Sequence, residues 1–323
     1  MFESMPTARS ARPPAPSGAT RPGAFTASAA SLLLVLLAVF AGSAGAFPRT
    51  ITDALGREVT IPAPPQRIVS IFASNTELLV ALGLEDRIVG VEDYTKYPPG
   101  IRESRTIVGG RLGFSAEAIA RLEPDLVVMT PARQAASSLL RPMAAAGIPA
   151  IVLLHKDLEQ VFGNLRLLGQ ATGEEQQAEL VIHELRDRLQ QVRLRIADAP
   201  PRRVYFETGE TDRGGFMTLR PGTYTFDALE AAGGRSVFAT LRGLTQVSGE
   251  AVIQADPDVV LVARRDMDMS GVRGRVGWQG ISAIRAGHVY PVDRALLLIP
   301  GPRVVDGVEQ MARLLHPERF ETP

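Results

Sequence analysis

The segment Phe114-Ser-Ala-Glu-Ala-Ile-Ala-Arg-Leu-Glu-Pro-Asp-Leu-Val-Val128 has a counterpart downstream in Val247-Ser-Gly-Glu-Ala-Val-Ile-Gln-Ala-Asp-Pro-Asp-Val-Val-Leu261. In register, Ser115 pairs with Ser248, Glu117 with Glu250, Pro124 with Pro257 and Asp125 with Asp258. Each copy reads as an N-capping serine, a short helix with Glu in its first turn, a Pro-Asp turn and a buried strand. A chain that carries this unit twice is built as two related halves, and each half presents a carboxylate at the same place.

The surrounding pattern says what those halves are. Arg67-Ile-Val-Ser-Ile71, Ile88-Val-Gly-Val91, Leu126-Val-Val-Met129 and Ala150-Ile-Val-Leu-Leu154 are apolar runs without alternation, separated by segments with helical signals. Such runs predict a parallel sheet covered on both faces. Ahead of them, residues 51–60 read as a hairpin turning at Ala54-Leu-Gly-Arg57. Residues 174–197 contain neither Gly nor Pro and space Ala178, Val181, Ile182, Leu185, Leu189, Val192 and Ile196 along one helical face. Ala199-Pro-Pro201 ends that helix, and Val204-Tyr-Phe206 opens a second series with helices over 225–232, near Glu250 and over 302–315. The expected fold is α/β: two doubly wound parallel-sheet lobes joined by one long α-helix, with a ligand cleft between them. The expected boundaries are 47–171 for the N-terminal lobe, 172–198 for the linking helix and 199–323 for the C-terminal lobe.

Composition narrows the function. The 35 basic and 35 acidic residues cancel, so no global field steers the chain onto nucleic acid. Cysteine is absent, which excludes disulfides, thiolate metal sites, a cysteine nucleophile and a Cys-anchored lipid. Residues 1–46 read as an export signal: Arg9, Arg12 and Arg21 precede the apolar run Leu32-Leu-Leu-Val-Leu-Leu-Ala-Val-Phe40, and Ala44-Gly-Ala46 offers a cleavage site before Phe47. An uncleaved anchor would need about 20 strongly apolar residues, longer than the dense part of this run. The expected location is the periplasm, as a soluble monomer.

Several segments carry a resemblance beyond the duplication. They are Thr52-Asp-Ala-Leu-Gly-Arg-Glu-Val59, the passage Arg67-Ile-Val-Ser-Ile-Phe-Ala-Ser-Asn-Thr-Glu-Leu-Leu-Val-Ala-Leu-Gly83, Asp93-Tyr-Thr-Lys-Tyr-Pro-Pro99, Gly277-Trp-Gln279, Gly287-His-Val-Tyr-Pro-Val-Asp293 and Pro302-Arg-Val-Val-Asp-Gly307. In this order and spacing the chain resembles the substrate-binding proteins of ATP-binding-cassette (ABC) importers for iron chelates, haem and vitamin B12. The resemblance implies a ligand sandwiched between lobes, a linking helix that restricts closure, and partners in an inner-membrane permease dimer with its ATPase. It implies no intrinsic cofactor, and it assigns Glu117 and Glu250 to permease docking. Arg guanidinium recognises carboxylate bidentately, so twin carboxylates suit arginines on the two membrane subunits. A Glu in a helix's first turn also favours the helix by about 0.3–1 kcal/mol through its dipole, which is the purely structural reason to keep both.

Ligand contacts are expected on loops after strands, where the carboxyl ends face the cleft. The candidates are Ser74 and Asn75 after the first strand, Tyr94 after the second, Arg111 in Gly109-Gly-Arg-Leu-Gly113, His155 at a strand end, and Phe216, Arg220 and Arg265 on the second lobe. Tyr94 is similar to an aromatic that packs on ligand in the cobalamin-binding branch. Arg111 stands where haem-binding relatives tend to place a ligating Tyr and cobalamin binders an aromatic; the arginine departs from both patterns and suits an anionic ferric chelate such as a siderophore complex. Cobalamin and haem are the alternative cargoes. The four histidines are too dispersed for a metal site of their own. An exported two-lobed enzyme is the alternative from another class, and nucleophile-elbow, dinucleotide and phosphate-loop motifs are absent. No enzymatic activity is expected.

Overall fold

The computed structural model describes residues 47–111, 113–130, 133–211, 214–241, 245–264 and 268–320. The expected leader and Arg265 lie outside the described residues. A hairpin of β1 (Arg49–Thr52) and β2 (Glu58–Ile61) comes first. Its turn closes on the Asp53 carboxylate, which accepts from the backbone of Leu55 and Arg57, and Gly56 supplies the left-handed residue at φ 76°.

The first lobe runs β3 (Ile68–Ile71), α1 (Ala73–Ala81), β4 (Ile88–Glu92), α2 (Ile101–Ser104), β5 (Thr106–Gly110), β6 (Gly113–Phe114), α3 (Ala116–Ala120), β7 (Leu126–Met129), α4 (Arg133–Ala145), β8 (Ala150–Val152) and α5 (Leu158–Thr172). Its sheet has the order β6-β5-β4-β3-β7-β8, parallel except where β6 turns back on β5. Every residue of β3 and β7 is buried, as unalternated apolar runs require when helices cover both faces. Helix α6 (Glu175–Arg195) then leads to the second lobe: β9 (Arg202–Glu210), β10 (Phe216–Thr218), α7 (Tyr224–Ala231), β11 (Gly234–Ser236), β12 (Gln246–Val247), α8 (Gly249–Ala255), β13 (Val259–Arg264), α9 (Ser270–Arg273), α10 (Ser282–Ala286), β14 (Val289–Asp293), α11 (Arg294–Leu297) and α12 (Val304–Leu315). There β12-β10-β9-β13-β14 form the sheet, with β11 also on β9.

The duplication is visible atom by atom. Ser115 Oγ accepts from Ala118 N at 3.1 Å and Ser248 Oγ from Ala251 N at 3.2 Å. Both turns place an acidic residue in the left-handed region, Glu123 at φ 46° and Asp256 at φ 38°. The Asp125 carboxylate then accepts from Arg67 N, and Asp258 from Arg203 N, while the two arginine side chains reach back to carbonyls of the preceding turn. Each Pro-Asp turn is thereby locked to the first strand of its own lobe.

Helix α6 buries Ala178, Ile182, Leu185 and Val192 on one face, against α5 and α12. Arg188 ties it to the second lobe through Asp306 at 2.5 Å and Glu309 at 2.9 Å on α12. One apolar cluster follows this helix through both lobes, from Leu78 and Leu165 to Leu261 and Val308. Two smaller clusters lie apart from it, one around Val127 and Leu139 and one around Tyr205, Val260 and Trp278.

Candidate functional site

A cleft of about 710 Å³ opens between the carboxyl ends of the first lobe's strands and the segment running from α11 into α12. That volume lies within the roughly 300–1,000 Å³ usual for small-molecule sites. Its first wall is aromatic: Phe72 after β3, Tyr94 and Tyr97 after β4, and Phe114 in β6. Leu298 and Ile299 face them from the second lobe.

The charged groups around this cleft are largely engaged already. Glu77 of α1 meets Arg303 of the other lobe at 2.5 Å, and the guanidinium lies 4.0 Å from the centre of the Tyr97 ring. Burial pushes the Glu77 carboxyl up, against the opposing pull of Arg303. Glu92, at the end of β4, gives one oxygen to Ala73 N at 2.8 Å, and burial raises its carboxyl too. Arg294 donates to the Thr208 carbonyl at 2.8 Å. Lys96 is exposed on the rim. Among the described residues, no group of three or more His, Asp or Glu side chains is arranged to hold a metal ion.

The residues expected from the sequence are distributed unevenly over this geometry. Tyr94 lines the cleft and is 53% exposed. Arg111 is exposed at the β5–β6 turn, beside Gly110 and Phe114 of the wall but not itself in the lining. Ser74 and Asn75 are fully buried, because they sit on the inner side of α1 rather than on a loop. They pack around His155: Nε2 lies 3.0 Å from Ser74 Oγ, 3.1 Å from Thr130 Oγ1 and 3.3 Å from Asn75 Oδ1. Burial lowers the His155 pKa to about 4, so the ring is neutral at pH 7. His155 therefore backs the cleft wall through Thr130 and the stacked ring of Phe72, 6.2 Å away, rather than lining it. Arg220 is exposed after β10 and outside the lining.

Phe216 belongs elsewhere. It packs edge-on against the buried Trp278 and under Arg275, in a groove of about 700 Å³ that also holds Glu250. Arg275 is fixed there by Glu207 at 2.6 Å and by Glu210. The Glu250 carboxyl is held below the usual range by its own backbone N–H and by the Ser248 hydroxyl. Glu117, at the matching place on the first lobe, is exposed and paired with Arg121 at 2.6 Å. Sequence reasoning passed over Phe72, Glu92, Lys96, Tyr97, Arg294 and Arg303. The signal for two of them was the run Tyr94-Thr-Lys-Tyr-Pro-Pro99, which crowds rings and a cation into one post-strand loop.

Comparison with known proteins agrees with this architecture. The periplasmic binding protein family matches residues 68–296. The chain is 29% identical over 280 residues to the ABC transporter substrate-binding lipoprotein YvrC of Bacillus subtilis, covering 85% of this chain and 88% of the relative. It is 28% identical over 255 residues to the vitamin B12-binding protein of Vibrio cholerae, covering 79% and 90% respectively. The crystal structure of a periplasmic heme-binding protein from Pseudomonas aeruginosa superimposes with a TM-score of 0.67 at 30% identity, covering 78% of this chain and 93% of that one. Two parallel-sheet lobes, the duplicated carboxylate-bearing unit and the match across most of the chain lead to one conclusion: the protein belongs to the periplasmic binding protein family of ABC-transporter substrate-binding proteins, with vitamin B12-binding and heme-binding proteins among its relatives.

Proposed function

We propose that the protein is exported, captures a corrinoid in the interlobe cleft and presents it to an inner-membrane permease through Glu117 and Glu250. The observation that carries this reading is the aromatic wall of Phe72, Tyr94, Tyr97 and Phe114 beside charges that are mostly engaged within the protein. A flat macrocycle with its own metal ligands and a neutral carboxamide rim suits such a surface. Stacked rings add about 0.5–1.5 kcal/mol each beyond the area they bury. The vitamin B12-binding relative, aligned over 90% of its length, supports the same choice.

A ferric chelate is the second reading, favoured by the exposed cations Lys96 and Arg111 on and beside the cleft rim. Calorimetric titration of the mature protein with cyanocobalamin, haemin, a ferric hydroxamate and a ferric catecholate separates the two. The corrinoid reading expects one-to-one saturable binding of cyanocobalamin, with the ferric chelates weaker by about tenfold or more. Tighter binding of a ferric chelate transfers the assignment to the second reading.

A further inference from the structure

Phe72 has a backbone conformation that its side chain should not allow. At φ 100° and ψ 129° it stands in territory that residues with a Cβ rarely enter, and a glycine would sit there without strain. Strain of this kind persists only where the surroundings over-determine it. Here they do so on every side. The Phe72 carbonyl accepts from Asn75 N at 3.0 Å, and Asn75 Nδ2 holds the carbonyl of Ile71 at 2.7 Å. The next amide, Ala73 N, is the first of α1 and donates to Glu92 Oε1 at 2.8 Å. Glu92 comes from the neighbouring strand and is buried at 5% exposure, an unusual place for a carboxylate unless it holds something. It does from β4 what an N-cap residue would do from within the chain, since Phe72 itself offers α1 no side-chain cap.

The outcome of this strain is the position of one ring. Phe72 stacks on His155 at an interplanar angle of 26° and lines the cleft, 38% exposed, on the same wall as Tyr94, Tyr97 and Phe114. We infer that Phe72 is a specificity-determining platform for the flat face of a conjugated ligand, and that Glu92 is the residue that positions it, by holding the Ala73 N–H from the adjacent strand. This rests on the reading that the cleft carries the cargo. A phenylalanine that only filled space behind the wall would need neither the strained backbone nor the buried carboxylate.

The test is a parallel set of cyanocobalamin titrations and thermal melts on the mature wild type, Phe72→Gly, Phe72→Trp, Glu92→Gln and Glu92→Ala. Phe72→Gly relieves the backbone, so its Tm stays level or rises while its dissociation constant increases about tenfold or more. Phe72→Trp keeps a ring and stays within about threefold of wild type. Glu92→Gln retains an oxygen for Ala73 N and binds as wild type, whereas Glu92→Ala weakens binding alongside Phe72→Gly. Should Glu92→Ala fail to fold, the contrast of Phe72→Gly with Phe72→Trp still decides on the platform. Wild-type affinity in Phe72→Gly overturns the inference while leaving the cargo reading intact. A purely structural Glu92 would lower Tm without moving affinity, which overturns its positioning role. If wild type itself does not bind cyanocobalamin, the corrinoid reading fails together with this inference, and that result differs from each of the others.

Discussion

His155 shows how much one side chain's surroundings decide. Asn164 Nδ2 donates to the Leu154 carbonyl and to His155 Nδ1, so the imidazole proton sits on Nε2, facing Ser74, Thr130 and Asn75. Ser74 consequently receives a hydrogen bond rather than surrendering a proton, and the Ser-His contact has no nucleophilic character. Because the folded-state pKa is depressed from 6.5 to about 4, the unfolded chain binds the extra proton first. The contribution is fully present above pH 6.5, fades as pH falls through the window from 6.5 to about 4, and is absent below it, a loss on the order of 3 kcal/mol at most. Glu77 and Glu92 have raised pKa values and act in the opposite sense as pH rises above the ordinary carboxylate range. They cancel when wild type is compared with His155→Gln. Urea titrations at pH 7 and pH 4.5 should therefore show a steeper acid loss in wild type than in the variant; equal losses would mean the histidine is not neutral in the fold. The sequence placed His155 at a strand end, which was legible from the apolar run before it. That Ser74 and Asn75 turn inward to wall it in was not, because a short helix of mixed small residues carries no strong face preference.

At the scale of elements, the packing of α5 on α6 is the joint between the first lobe and the linking helix. Gly169 permits it: a Cβ there would lie 2.7 Å from the Ala178 Cβ and 3.1 Å from the Glu174 carbonyl oxygen. Gly169→Ala should lower stability by about 1–3 kcal/mol, measured by thermal or urea unfolding, despite the better helix propensity of alanine. A neutral or stabilising result would show that the two helices separate easily. Most elements could be read from the chain. The long Gly-free and Pro-free segment became α6, the paired Ser-x-Glu units became α3 and α8, and the apolar runs became the central strands. What escaped was antiparallel edge pairing in the second lobe, where Phe216 and Met217 join β12 and carry Phe216 away from the cleft into the groove of Glu250. Register between short edge strands depends on partners distant in sequence, so no local pattern announces it.

Among the described residues, the two lobes share a continuous apolar core on one side and face each other across the cleft on the other. The apolar cluster along α6 is continuous through both lobes, and Arg188 adds two carboxylate contacts to α12, so the cleft is bounded by lobes tied together behind it. The interlobe pair Glu77–Arg303 joins the two lobes at the cleft as well. Such a frame favours small adjustments around cargo over a wide hinge movement. The two carboxylates proposed for docking differ in one respect: Glu117 shares its charge with Arg121, while Glu250 is held by its own N–H and Ser248 within a groove. Exposed carboxylates of this kind govern orientation and encounter more than cargo affinity. The most direct measurement is ATP hydrolysis by the cognate permease and ATPase in proteoliposomes, titrated with cargo-loaded protein. Wild type should stimulate it saturably, and the Glu117→Ala/Glu250→Ala double variant, with cargo affinity unchanged, should lose about tenfold or more of that stimulation. Full stimulation by the double variant would contradict the account.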